Sequence, residues 1–136
     1  MTLGQRVLLY LISLGAFLII DFTWLGWVAK DFYARHLDEL MSRQINWPAA
    51  FFFYLLFVGG LLVFVIEPAL DRGSLFSAIL RGAFFGIVAY ATYDLTNLAT
   101  LEDWPIVVTV VDLIWGGVLS GLVSAVGYLL GFYLFV

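Results

Sequence analysis

WPIVVTVVDLIWGGVLSGLVSAVGYLLGFYLFV, residues 104–136, contains one charged residue, Asp112, in an otherwise neutral and largely apolar run. Such a run exceeds the roughly 20 residues a helix needs to cross about 30 Å of hydrocarbon at 1.5 Å per residue. The same pattern recurs upstream. Between Arg6 and Lys30 only Asp21 is charged, between Arg43 and Glu67 nothing is, and from Gly82 to Leu101 only Asp94 is. These stretches predict four membrane-spanning helices, near 7–29, 48–68, 80–101 and 106–130, in one all-α four-helix bundle covering 1–136. The first run starts behind Arg6 as a signal peptide would. It is too long for one, contains Asp21 and flows into tryptophans instead of a small-residue cleavage site, so it reads as a span.

Composition excludes the alternatives. The chain is 64% hydrophobic and 12% charged, against about 25% charged in a soluble domain, and its mean hydropathy is +1.07. So small a body cannot hide that much apolar surface from water. With no cysteine there is no disulfide framework, thiolate metal site or cysteine nucleophile. A net charge of -4 without a basic run excludes nucleic-acid binding.

The connections are legible in part. Pro48 and Pro105 suit first helical turns and Pro68 a stop. Glu102–Trp104 is short enough to make spans three and four a hairpin. The only substantial segment outside the spans, 30–47, is amphipathic: Phe32, Tyr33, Leu37, Leu40 and Met41 recur at helical spacing, and Arg35, Glu39 and Arg43 form an i, i+4 ladder of alternating charge. It reads as a short helix lying in the membrane interface, with a solvated loop as the alternative. The positive-inside count ties, Arg6, Arg72 and Arg81 against Lys30, Arg35 and Arg43; the acidic tip Glu102–Asp103 favours a cytoplasmic amino terminus.

Three acids interrupt the spans at one depth. Asp21 lies nine residues before Lys30, Asp94 eight before Glu102 and Asp112 seven after Pro105, so all three sit roughly 10–13 Å beneath the same surface. A carboxylate left in lipid costs about 2.5–3.5 kcal/mol, which turns each inward. No Lys, Arg or His shares that depth. Three adjacent carboxylates cannot then all stay charged: either one is protonated near neutral pH or a cation lies between them. Span three adds Tyr90, Tyr93, Thr96 and Asn97 around Asp94, with Asn97 and Thr100 on its stripe. On span four Asp112, Gly116, Ser120 and Ser124 repeat at i+4, and Gly117 and Gly121 form a GxxxG that admits close helix approach. Asp21, Asp94, Asp112 and Asn97 are therefore expected in one cluster.

All five tryptophans, Trp24, Trp27, Trp47, Trp104 and Trp115, fall in the same half of the chain's span pattern, whereas a plain aromatic belt would populate both interfaces. Trp27, Trp47 and Trp104 read as interfacial anchors; Trp24 and Trp115, each three residues after an aspartate, read as pocket wall. Residues 20–26 and 111–117 share D-x-x-W-x-G on helices of opposite direction, either an inverted echo of the kind that frames sites in transporters or a coincidence of composition. The early D-x-x-W, the run Arg81-Gly82-Ala83-Phe84-Phe85-Gly86 leading into Tyr93-Asp94-Leu95-Thr96-Asn97-Leu98-Ala99-Thr100, then Trp104-Pro105 and the late D-x-x-W-G, resemble the bacterial predicted membrane proteins of the domain of unknown function 2177 family over nearly the whole chain. That resemblance implies a multi-pass four-helix protein of the bacterial inner membrane. It brings no activity and no catalytic residues.

Glu67 and Asp71, beside Arg72 and Arg81, read as interfacial ion pairs, and His36, with no second histidine, as a solvated side chain. There is no GxSxG, HExxH, GxGxxG or phosphate loop, and no cofactor is implied. Three functions remain open. One is a site for a proton, a cation or a small amphipathic molecule, with dimerisation through the Gly117–Gly121 face if the chain transports. A second is a lipid-modifying enzyme with paired carboxylates at headgroup depth. The third is an accessory subunit of a larger membrane complex. Expected partners are membrane lipid and a homodimer or larger assembly, without nucleic acid.

Overall fold

The computed structural model describes residues 1–38, 40–41 and 44–136. Five helices account for the fold: α1 (Leu3–Val28), α2 (Lys30–Leu37), α3 (Trp47–Arg72), α4 (Leu75–Thr100) and α5 (Ile106–Phe135). All but α2 are long and apolar enough to cross a membrane.

The helix starts follow local chemistry. Thr2 Oγ1 accepts from the Gln5 N–H at 3.1 Å while Gln5 Oε1 accepts from the Thr2 N–H at 2.9 Å, a reciprocal cap that satisfies two amides otherwise without partners. Asn46 and Ser74 cap α3 and α4 by accepting from the Ala49 and Ser77 N–H groups at 3.2 and 3.0 Å. Between α3 and α4 the chain reverses at Gly73, whose φ of +65° a side chain would oppose.

Two spans are not uniform. At the end of α1 the Ala29 N–H bonds five residues back, to the Trp24 carbonyl at 2.8 Å, and in α3 the Glu67 N–H does the same to Leu62. The second widened turn corrects the expected stop at Pro68. A proline ring normally presses on the carbonyl four residues earlier; one extra residue in the turn before it relieves that clash, and α3 continues to Arg72.

α5 is the most enclosed span. Leu119 and Val123 on α5 join Leu9 and Phe17 of α1 and Val58, Leu61 and Ile66 of α3 in a fully or almost fully buried core. Phe17 lies 5.4 Å, centroid to centroid, from both Tyr54 and Phe57. The α4–α5 hairpin is closest where Gly86 meets Gly116: a Cβ on Gly86 would overlap the Gly116 carbonyl, and one on Gly116 would stand 2.6 Å from Tyr90 Cγ. Backbone contact at that distance needs glycine on both sides.

This packing revises two readings. The Gly117–Gly121 face, expected to be available to a second copy, is covered within the chain by Ile79, Ala83 and Ile87 of α4. Glu67 pairs across the bundle with Arg6, Nε to Oε1 at 2.8 Å, whereas Arg72 donates to Ser77 Oγ at 3.4 Å. The helix after span one ends at Leu37, short of Leu40 and Met41, and Glu39 and Arg43 of the charge ladder lie outside the described residues.

Candidate functional site

Residues of all five helices, α2 included, line a cavity of about 620 Å³ at one end of the bundle. Asp21, Asp94 and Asp112 all line it, one each from α1, α4 and α5. Equal depth and an inward face on three helices suffice to bring them there. The rest of the wall is aromatic and aliphatic, with Tyr54 of α3, Tyr90 and Tyr93 of α4, Trp104 beyond it and Trp115 of α5. No Lys, Arg or His lines the cavity.

The acids have unequal surroundings. Asp21 Oδ1 accepts from Trp115 Nε1 at 3.2 Å. The Trp115 indole stacks on Trp24, with centroids 4.3 Å apart and planes within 9°. Trp24 Nε1 in turn donates to the Tyr33 hydroxyl at 3.1 Å, and that hydroxyl donates to Asp112 Oδ1. The two D-x-x-W segments are thus cross-linked: the second tryptophan holds the first aspartate, and the first tryptophan reaches the second aspartate through Tyr33. The widened turn at Trp24–Val28 directs the chain back across the bundle end, so that α2 delivers Tyr33 and Leu37 to the cavity wall. Burial, reinforced by donation to Asp112, pushes the Tyr33 hydroxyl pKa above the usual tyrosine value, against a smaller opposing effect of the Trp24 N–H.

Asp94 is 0% exposed, and apart from the Asp112 carboxyl beside it, with which it can share a proton, neither of its oxygens has a hydrogen-bond partner among the described residues. Two adjacent buried carboxyls with no base beside them are costly in a folded protein and mark a place where something other than packing sets the residues.

The remaining expected site residues divide. Tyr90 and Tyr93 line the cavity; Trp24 stands behind Trp115 and buttresses it. Thr96 is exposed, two residues or about 200° round the helix from Asp94. Asn97 is half-buried and is not among the residues that line the cavity with the aspartates. Nor do the three acids converge on one point: among the described residues no three His, Asp or Glu side chains come together to hold a metal ion. Asp94 and Asp112 neighbour each other, whereas Asp21 bonds Trp115.

Trp104, read as an anchor, is instead 8% exposed; its Nε1 donates to Thr109 Oγ1 at 3.1 Å, and that hydroxyl donates to the Asp94 carbonyl at 3.4 Å. Trp27 and Trp47 are 82% and 46% exposed, as membrane-facing anchors would be. Tyr33 and Tyr54 were missed as lining residues. The signal for Tyr33 is its place on the apolar face of the 30–37 segment, a face that an interfacial helix would turn to lipid and that here meets the cavity.

A family profile described as predicted membrane protein (DUF2177) matches residues 6–129. No curated protein matches the chain, and no solved structure does.

Proposed function

The chain belongs to the DUF2177 family of predicted membrane proteins, and from that premise we propose that it binds a small amphipathic organic cation between its helices, as a multi-pass protein of the bacterial inner membrane. The observation that carries the reading is the lining: three carboxyls, two of them the buried neighbours Asp94 and Asp112, within an aromatic wall that contains no basic side chain. Such a wall suits a cation with apolar substituents. The carboxyls supply charge, and the faces of Tyr90, Trp104 and Trp115 supply cation–π attraction of about 0.5–2 kcal/mol per well-placed ring. A volume of about 620 Å³ falls within the range of small-molecule sites. Among the described residues no three ligating side chains come together, and this favours a bulky organic cation over a chelated metal ion, which needs its ligands at one point.

The experiment is a pair of titrations on the detergent-solubilised chain, followed by calorimetry and tryptophan fluorescence. Tetraphenylphosphonium should bind saturably with one site per chain, and tetraphenylborate, of like shape and opposite charge, should not. Asp94→Asn and Asp112→Asn should each weaken the cation at least about tenfold, equivalent to about 1.4 kcal/mol. Equal binding of the two ions, or binding indifferent to both substitutions, would overturn the proposal. Constant copurification of other membrane subunits in its place would favour an accessory role, and turnover of added phospholipid would favour the enzyme reading.

A further inference from the structure

A second cavity, of about 640 Å³, lies on the outer surface of the bundle between α3 and α4, away from the aspartates. Phe64 and Val65, both in the widened turn of α3, form one side; Leu80, Phe84, Phe85 and Val88 of α4 form the other, and the single polar lining residue is Arg81. Phe64 and Phe84 are 67% and 68% exposed. The cleft is therefore an open apolar furrow on a surface that hydrocarbon would bathe, with one cation beside it.

Arg81 is placed to meet the headgroup layer. It lies six residues into α4, about 9 Å from the helix start, while Val88 lies about 20 Å in. Its flexible stem lets the guanidinium reach back toward the interface while the rest of the furrow continues inward. At this end of the bundle Arg6 is paired with Glu67 and Arg72 bonds Ser77. Arg81 is exposed and has neither a hydrogen bond nor an ion pair among the described residues.

From this juxtaposition we propose that the furrow seats one phospholipid of the bilayer, its acyl chain along Phe64, Phe84 and Val88 and its phosphate on Arg81. A guanidinium fork matches phosphate oxygens in two parallel N–H···O bonds. The α3 side of the furrow, Phe64 and Val65, lies wholly within the widened turn before Pro68. The site is independent of the organic-cation cavity: the two share no lining residue.

The test is lipid retention. The full chain is washed extensively in mild detergent, phosphatidylglycerol is added back, and bound lipid is counted by native mass spectrometry. The wild type should retain one phosphatidylglycerol per chain. Arg81→Gln should weaken retention about fivefold, the factor matching about 1 kcal/mol for one arginine at a membrane surface. Arg81→Lys should restore most of it, and Arg72→Gln, a change at the same end of the bundle outside the furrow, should leave it intact. Phe84→Glu provides a second variant, acting on the chain-binding part: it should abolish retention while tetraphenylphosphonium still binds the other cavity. Equal loss in Arg72→Gln and Arg81→Gln would reduce the effect to general surface charge and overturn the proposal. So would displacement of the lipid by millimolar inorganic phosphate, which would leave a phosphate site without a role for the furrow.

Discussion

Replacing Tyr33 with Phe deletes one oxygen that serves two partners. The hydroxyl accepts from Trp24 Nε1 at 3.1 Å and donates to Asp112 Oδ1, whose residue is 8% exposed. Trp24 is half-buried and regains water, so most of the cost falls on Asp112. A hydrogen bond to a neutral acceptor contributes about 0.5–1.5 kcal/mol and one to a charged acceptor about 1.5–3, which brackets the loss at about 0.5–3 kcal/mol. Melting of the detergent-solubilised variant should therefore fall below wild type, while Trp27→Phe, at a side chain 82% exposed, should leave it unchanged. Ligand binding should move the other way. Releasing Asp112 from Tyr33 removes a competitor for its carboxyl, so tetraphenylphosphonium should bind Tyr33→Phe more tightly. The alkaline limb supplies a further readout. Because burial and Asp112 raise the folded-state pKa of Tyr33, the unfolded chain loses this proton first, near the ordinary value of 10.0. The stability it contributes is thus complete below that pH and is lost as pH rises toward the folded value. Wild-type melting should drop across that window more steeply than that of Tyr33→Phe. A variant with wild-type melting, wild-type affinity and an identical alkaline limb would refute the assignment of Tyr33 to this network.

Asp94→Asn should preserve the fold, since it keeps the volume of a buried side chain and relieves repulsion with the neighbouring Asp112, yet cost far more cation binding than Glu67→Gln, whose ion pair with Arg6 is partly exposed and contributes less than about 1 kcal/mol; parallel calorimetry on the two variants decides this. Gly86→Val should prevent the α4–α5 hairpin from closing, because its Cβ would overlap the Gly116 carbonyl, whereas Gly15→Ala, with nothing within 4 Å of its Cβ, should be neutral or stabilising by about 0.5–1 kcal/mol; size-exclusion profiles and melts separate these outcomes. Trp115→Phe should abolish the exciton signature of the stacked Trp24–Trp115 pair in circular dichroism, and calorimetry should show weaker cation binding because the indole, the better cation–π partner, is lost from the cavity wall.

The architecture was open to reading from composition because hydrocarbon imposes a length and a polarity on any helix that crosses it. Four apolar runs, three of them interrupted by a single aspartate, left little else for the chain to form, and helical rise alone placed Asp21, Asp94 and Asp112 at one level. Depth along a helix is a one-dimensional quantity, and residue counting captures it.

Azimuth and neighbourhood are not of that kind. Asn97 shares a stripe with Asp94, yet only the angle at which α4 meets α5, imposed by backbone contact at Gly86 and Gly116, determines that Asp94 faces the cavity and Asn97 stays outside its lining. The same contact consumed the Gly117–Gly121 face inside the chain. Pro68 signalled an end to α3, but a turn with one extra residue relieved its clash, and that choice depended on packing around Leu62–Ile66. Trp104 and Tyr33 had the sequence context of interfacial anchors; the tertiary fold turned them inward, since each has a polar tip that finds a partner there, Thr109 for one and Asp112 for the other. Sequence determined how deep each polar group lies, because a membrane meters length; the tertiary structure alone decided which of them meet, because helix rotation and crossing are settled by contacts between segments far apart in the chain.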